Sequence, residues 1–361
     1  MTTQSTQEPI RFGIIGTGMM GCEHILNIGL IPDATVTAIA DSNETSRGWG
    51  RSIAGDCVEV YADYRDLLQR APIDAVVIAT PNFTHYDVLQ DVFRTRKHVL
   101  VEKPLCTTVE HCQRIVDAAG AHPGVVWVGM EYRYMRAVAR LIEEVHADAV
   151  GQLRMLAIRE HRFPFLTKVD DWNRFNRNTG GTLVEKCCHF FDLMNLITRQ
   201  RPLRVYASGA HSVNHRDERY DGEMPDIIDN AYVIVDYDSG TRALLDLCMF
   251  AENSTNEVEI AATGDRGKIE AFIPAHRLVH THRNGAPQTT LAFEVDPRVQ
   301  GAGAHHGSTY FEHVGFIAAI RAGGTPAVSV VDGARAVAVG AAAEQSIREH
   351  RPVELRELWA W

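Results

Sequence analysis

A chain of 361 residues with a formal net charge of -10 is longer than one hydrophobic core usually organises, and it carries no basic field to attract a phosphate backbone. Its 45% apolar and 23% charged residues exclude a largely disordered architecture, and it has no Lys/Arg-rich run, so nucleic acid is not an expected partner. No apolar run approaches the roughly 20 residues that span a bilayer, so no membrane partner is expected either.

The stretch Met1–Ile10 is polar and lacks the basic start and apolar core of a signal peptide. Seven cysteines, an odd number, are scattered without the spacing of a disulfide framework. Together these point to a cytoplasmic protein with reduced thiols.

From Arg11 to about Val128, short β-branched runs alternate with helix-length amphipathic stretches, the pattern of a parallel sheet built from βαβ units. Strands are expected at Arg11–Ile15, Val36–Ala40, Ala75–Ala79, His98–Val101 and Val125–Val128, with a shorter one at Val58–Tyr61. Helices are expected at Asp63–Arg70, His85–Arg94 and Val109–Gly120. After about Met130 a helix at Met135–His146 gives way to runs that alternate apolar and polar residues, as in an antiparallel sheet with one buried face. These runs are Leu153–Glu160, Leu203–His211, Asn230–Tyr237, Arg242–Phe250 and Glu257–Thr263, with a hairpin turn at Asp238-Ser239-Gly240. Helices follow at Phe311–Arg321 and along the Ala-rich stretch Val331–His350. The expected fold is α/β: a doubly wound parallel sheet of the Rossmann type over residues 1–130, then an α+β unit with a large, mainly antiparallel open sheet over 131–361.

The segment Gly16-Thr17-Gly18-Met19-Met20-Gly21 directly follows the first strand and opens a helix. In this context the first glycine permits the tight turn, the second lets backbone approach a pyrophosphate and the third allows close helix–strand packing. Asp41 closes the second strand, 20 residues after Gly21, where a carboxylate accepts hydrogen bonds from ribose hydroxyls. The same charge repels a 2′-phosphate, so NAD is favoured over NADP, with Arg47 nearby to offset part of that repulsion.

Glu102-Lys103-Pro104 ends a buried strand at the sheet edge where ligands bind. A lysine there, beside a cofactor's positive ring, is expected to have a lowered pKa and to assist proton transfer from a hydroxyl; a surface ion pair is the plainer alternative. Gly180-Gly181-Thr182 leads into a stretch in which Glu185, His189 and Asp192, four and three residues apart, share one face of a helix. Cys187-Cys188-His189 beside Glu185 invites a metal reading, but adjacent cysteines point apart on a helix and no zinc-type spacing recurs, so no metal is expected.

These segments, with Ala79-Thr80-Pro81-Asn82 and His85, make the chain similar to the Gfo/Idh/MocA family of oxidoreductases over nearly its whole length. The resemblance implies a catalytic role for Lys103 and His189, with Glu185 standing where the family usually has Asp. It places Thr80, Pro81, Asn82 and His85 beside the nicotinamide ribose, where a helix cap is the alternative reading, and Glu102 with Lys103 against the cofactor. It also places contacts in Glu131-Tyr132-Arg133-Tyr134, of which Arg133 is the substrate candidate, and in His305-His306, of which His306 is the candidate. Polar groups beside a flat aromatic suit a hydroxylated ring, which adds His161, Trp172 and Asn173 as substrate contacts; loop packing explains them equally well. The implied activity is NAD-dependent oxidation of a ring hydroxyl on a cyclitol, sugar or glycoside, or the reverse. Lys103 and His189 share the proton work, and the residues leave open which is the base. Alternatives are a redox-neutral, NAD-dependent glycosidase and a non-catalytic NAD-binding regulator. A homodimer or homotetramer is expected from the paired sheets of related proteins.

Overall fold

The computed structural model describes residues 8–359, so most of Met1–Ile10 lies outside the described residues. Strands β1 (Ile10–Ile15), β2 (Ala34–Ala40), β3 (Glu59–Tyr61), β4 (Ala75–Ile78), β5 (His98–Glu102) and β6 (Val126–Gly129) form a sheet in the order β3-β2-β1-β4-β5-β6. Every pairing is parallel. β4 and β6 are buried throughout and β1 at all positions but Arg11, as continuous apolar runs must be when helices cover both faces.

Helices α1 (Met19–Gly29), α2 (Glu44–Ala54), α3 (Tyr64–Arg70), α4 (His85–Phe93) and α5 (Val109–Ala119) connect these strands. Asn43, Asp63 and Thr108 cap α2, α3 and α5 by accepting from backbone N–H groups one or more residues on. By contrast α1 starts from Gly18 with no side-chain cap, which leaves its first N–H groups without a side-chain partner. Strand order reverses at β1, so a crevice opens outside the carboxyl ends of β1 and β4.

Beyond α6 (Arg136–His146) come β7 (Leu153–His161), α7 (Asn176–Thr179), α8 (Thr182–Glu185), α9 (Cys188–Thr198) and β8 (Pro202–Ala210). They are followed by β9 (Asn230–Tyr237), β10 (Arg242–Cys248), β11 (Val258–Gly264), β12 (Gly267–Ile273), β13 (Arg277–His282) and β14 (Thr289–Ala292). Helices α10 (Pro297–Gln300), α11 (Ser308–Ala322) and α12 (Val330–Glu349) and the short β15 (Val353–Glu354) complete the chain. The second sheet has the order β14-β13-β12-β11-β7-β10-β9-β8-β15 and is antiparallel apart from the parallel pair β7 and β10. Strands β11 and β12 alternate buried and half-buried positions residue by residue. The expected hairpin joins β9 to β10, with Gly240 at φ 85°.

Two helices of the second half return to the first. α11 packs on α1, and α12 packs on α5, α8, α9 and β8. The small residues of α12 permit this: a Cβ on Gly340 would lie 2.6 Å from the Leu183 carbonyl oxygen, so α12 rests directly on the backbone of α8.

One local expectation is corrected. The stretch expected as a single helix through Glu185, His189 and Asp192 is two helices, α8 and α9, joined at Lys186-Cys187. There the Cys187 N–H reaches back five residues to the Thr182 carbonyl at 3.4 Å, so the chain widens for one turn. The break separates Glu185, on α8, from His189 and Asp192, which stay three apart on α9, and Asp192 is committed to Arg133.

Candidate active site

A cleft of about 930 Å³ follows the carboxyl ends of β1, β2, β4 and β5. Gly16, Gly18, Met19, Met20, Asp41, Thr80, Pro81 and Asn82 line it from the first sheet, with Glu102 and Lys103. Lys168, Trp172 and Glu185 line it from the second half of the chain. Gly16 takes φ 90°, and its Cβ would lie 2.6 Å from the Ala79 carbonyl oxygen, so only glycine closes this turn. A Cβ on Gly18 would meet no protein atom within 4 Å, which leaves that backbone open to a ligand.

Asp41 is fixed from two sides: Oδ2 accepts from the Thr17 N–H at 2.7 Å and Oδ1 from the Asn43 N–H at 2.8 Å. A carboxylate has about four acceptor positions, so lone pairs remain for ribose hydroxyls. The guanidinium of Arg47 donates to the Asp41 and Ser42 carbonyl oxygens at 2.7 and 2.9 Å. It is held by the main chain at the foot of Asp41. The buried Asn82 Nδ2 has no hydrogen-bond partner, a donor at the end of β4 that a bound cofactor would satisfy. An uncapped helix start, an open glycine, an anchored carboxylate and an orphaned amide donor together fit NAD. Asp41→Ala is expected to weaken NAD binding and to narrow the gap in affinity between NAD and NADP, measured by fluorescence titration with each nucleotide. Unchanged selectivity would remove Asp41 from the ribose.

His85 is fully enclosed behind this surface. Its ring bridges the Thr80 carbonyl at 3.0 Å and the Pro104 carbonyl at 2.8 Å, tying the turn after β4 to the turn after β5. It does not line the cleft, so it positions the cofactor turn rather than touching it.

Lys103 Nζ donates to the Glu185 carbonyl at 3.4 Å. Burial alone would lower its pKa, but Cys188, Glu131 and Glu102 raise it above its ordinary value, opposite to the lowering expected from sequence. Lys103 is therefore an ammonium at neutral pH. Glu102, which accepts from the Lys103 N–H at 3.1 Å and pairs with the buried His24 at 2.9 Å, stays ionised: burial raises its pKa, and His24, Lys103 and His305 together lower it by more. Burial pushes the Glu185 carboxyl up to about 7 against the pull of Lys103 and Lys168, and its Oε2 has no partner. Burial likewise holds Lys168 below its ordinary value.

His189 is buried on α9 with its ring stacked on Tyr132, 4.2 Å between centroids and 6° between planes. Nε2 lies 3.4 Å from Glu131 Oε1, and Nδ1 has no partner. Burial, then the positive charges of Lys103, Lys186, His305 and Arg162, push its pKa well below the ordinary imidazole value, so the ring is neutral at pH 7. Beneath it, Lys186 donates to the Tyr132 hydroxyl at 2.8 Å and pairs with Glu160 at 2.9 Å.

Other expected substrate contacts lie elsewhere. Arg133 is held by Asp192, with Nε donating at 2.6 Å, and by the Ala327 carbonyl, and it does not line the cleft. His161 falls on the opposite face of β7 from Glu160 and pairs with Asp246 at 3.1 Å; strand alternation puts the neighbour, not His161, toward Lys186. Asn173 is buried against Leu166 and Arg174. His306, at φ 55°, packs against His276 at 5.7 Å, while its neighbour His305 approaches Glu131. Trp172 does line the cleft and meets Phe83 edge to face at 6.4 Å. Glu131, Glu160, Lys168 and Lys186 are missed by sequence reasoning, although Glu131 and Lys186 lay inside segments singled out there. Among the described residues, no three His, Cys, Asp or Glu side chains are grouped to hold a metal ion.

A parallel sheet with an open, uncapped glycine turn, facing an ionisable cluster carried by a second sheet unit, defines an NAD-binding oxidoreductase. The chain belongs to the Gfo/Idh/MocA oxidoreductase family: residues 10–130 match its model for the NAD-binding Rossmann fold and residues 142–355 its model for the C-terminal alpha/beta domain. It is 27% identical over 351 residues to the myo-inositol 2-dehydrogenase of Thermotoga maritima, covering 97% of this chain and 99% of that one. It is 24% identical to the scyllo-inositol 2-dehydrogenase (NAD(+)) of Bacillus subtilis, covering 97% of each. The fold matches levoglucosan dehydrogenase in complex with NADH and levoglucosan at a TM-score of 0.84 and 20% identity, over 96% of this chain and 100% of that one.

Proposed function

We propose that the protein oxidises a ring hydroxyl of a cyclitol, sugar or glycoside with NAD, or reduces the matching ketone. The carrying observation is that cationic Lys103 and the partly protonated Glu185 line the cleft, with neutral His189 buried behind its wall and within the field of Lys103. Bound NAD supplies the hydride acceptor. Removing a hydride from a C–H bond requires the O–H proton to leave as well. His189, uncharged and with Nδ1 free, takes that proton. Lys103, charged in the ground state, donates to the developing alkoxide. This divides the proton work: His189 is the base and Lys103 the electrostatic partner. Glu185, with an unsatisfied oxygen, and Trp172, with its flat face, hold the hydroxylated ring. The inositol dehydrogenases among the relatives support this substrate class.

We assign cofactor holding to residues 1–130 and substrate holding and self-association to 131–361. Met155, Tyr206, Tyr232 and Ile234 are exposed on the second sheet, Tyr232 by 62%, and an apolar surface of this kind supports a homodimer or homotetramer. A cytoplasmic location agrees with seven unpaired cysteines. Among the described residues no helix is long and apolar enough to cross a membrane.

The test is absorbance of NADH at about 340 nm with NAD and a panel of inositols, free sugars and glycosides. NADH is expected with one compound class. NAD binding without NADH from any of them would shift the reading to the redox-neutral glycosidase or the regulator.

A further inference from the structure

Glu131 is the least explained group in the molecule. It is buried, both carboxylate oxygens lack a hydrogen-bond partner, and Arg133, the cation nearest in sequence, is committed to Asp192. Two imidazoles approach it instead: His189 Nε2 at 3.4 Å and His305 Nε2 at 3.7 Å, both toward Oε1. On its far side His305 is tied down, with Nδ1 2.8 Å from Glu23 Oε1. Glu23, on α1, also accepts from the Ala304 N–H at 3.1 Å and the Thr309 hydroxyl at 2.9 Å. These bonds outweigh its burial and hold its pKa down to about 2, so it is a permanent anion. An anion there fixes the His305 proton on Nδ1 and leaves Nε2 as the exchanging nitrogen facing Glu131. Exposure rises along the row: 1% for the side chains of His189 and Glu131, 22% for His305.

We propose that Glu131 and His305 carry the reaction proton from His189 to the surface, a role that rests on the dehydrogenase reading above. The hydroxyl O–H bond breaks toward His189 Nδ1 as the hydride passes to NAD. His189 then gives up the proton on Nε2 to Glu131 Oε1, and Glu131 passes it to His305 Nε2, from which it enters solvent. One hydride and one proton leave the substrate; Glu131 and His305 return to their starting states, and His189, left with its proton on Nδ1, resets when its ring exchanges that proton before the next turnover. Gaps of 3.4 and 3.7 Å are wider than a hydrogen bond and close by side-chain adjustment or through one water, as in many ligand-free sites. His189 is depressed, Glu131 is raised to about 7 by burial, and His305 lies above its ordinary value because Glu23 and Glu131 outweigh burial, so both later stations hold a proton more readily than His189. Other charges face Glu131 too. Lys103 lowers its pKa and Glu102 raises it, and the buried Glu312 on α11 and Cys188 on α9 also lie within its field.

The first readout needs no turnover: NMR titration of histidine-labelled protein, wild type against Glu131→Gln, with NAD binding as the check on folding. In the wild type the His189 and His305 ring signals are expected to share a step near pH 7 as Glu131 ionises, and Glu131→Gln should remove that step from His189 and leave His305 only its own titration. A His189 step that persists unchanged in the variant overturns the proposal. His305→Asn is the second variant, at a partly exposed side chain that leaves Glu131 and His189 in place. Both variants are expected to lower kcat about tenfold or more, with a larger solvent isotope effect and little change in KM for the alcohol. A wild-type kcat and isotope effect in His305→Asn overturns the exit route. If no polyol yields NADH while the shared step is present and lost in Glu131→Gln, the coupling stands and the dehydrogenase reading is what fails.

Discussion

Replacing Lys103 with methionine is expected to abolish measurable turnover while leaving NAD affinity close to wild type. Methionine fills nearly the same volume, so the cleft keeps its shape and the changed quantity is charge. Two effects then act together and a third runs against them. The ammonium that donates to the developing alkoxide is gone, and loss of one such donor costs about a hundred- to a thousandfold in rate. The Glu185 carboxyl, held down from a still higher pKa by Lys103, rises above about 7 and is protonated at neutral pH, which alters the substrate contact as well. Third, His189 loses the nearest positive charge that depresses it, so its pKa rises, the opposite of what a weakened base would need to explain the loss. The NAD contacts proposed at Gly18, Asp41 and Asn82 are untouched. Steady-state rates and nucleotide titration on one preparation separate the two quantities. Normal turnover would take Lys103 out of the mechanism, and loss of NAD binding alongside turnover would make it a cofactor residue instead.

The elements that sequence made plain are those whose physics is local. Parallel strands buried on both faces announce themselves as Phe12–Ile15 and Ala75–Ile78, and Gly16 and Gly21 are forced by close backbone approach that no other residue allows. Family membership follows from the same runs, and the NAD-binding fold is borne out. Strand β15 went unread because its recognition depends on an edge supplied by a distant segment: it pairs with β8 across nearly 150 residues of chain. At the catalytic end the limits are sharper. Lys186 and Glu160 form a buried pair only because α8 and α9 meet at a widened turn beside β7, and no spacing rule encodes that contact. Alternation along β7 sends Glu160 inward and His161 outward, a choice fixed by register. The pair His305-His306 poses the same problem in a loop: a positive φ at His306 turns one ring toward His276 and leaves the other at Glu131. Charge state was the least legible property. Lys103 looked poised for a lowered pKa beside a cationic ring, and only the placement of Glu131, Glu102 and Cys188 around it reverses the sign.

On the proposed assignment His189 is the base, and His189→Ala is accordingly expected to lower kcat by about a hundredfold or more, the usual cost of losing a general acid/base. The ring also packs on Tyr132, so a loss of rate alone does not separate chemistry from support. Two further measurements do. Added imidazole has room in the space left by the ring and should restore part of the lost rate in Ala, with a pH dependence that follows free imidazole rather than the protein. A glutamine at the same position supports Tyr132 without accepting a proton at neutral pH, so His189→Gln should be as slow as His189→Ala yet melt close to wild type. The pH profile gives the sign. A base whose pKa lies well below 6.5 is already deprotonated at pH 7, so wild-type activity should not fall through His189 protonation until the pH is well under that value. Among the groups beside the proposed reacting atoms, Glu131 and Glu185, both raised to about 7, are the ones expected to cause a loss nearer neutrality. If His189→Gln matches the wild-type rate, the ring is a support for Tyr132 and the proton leaves by another group.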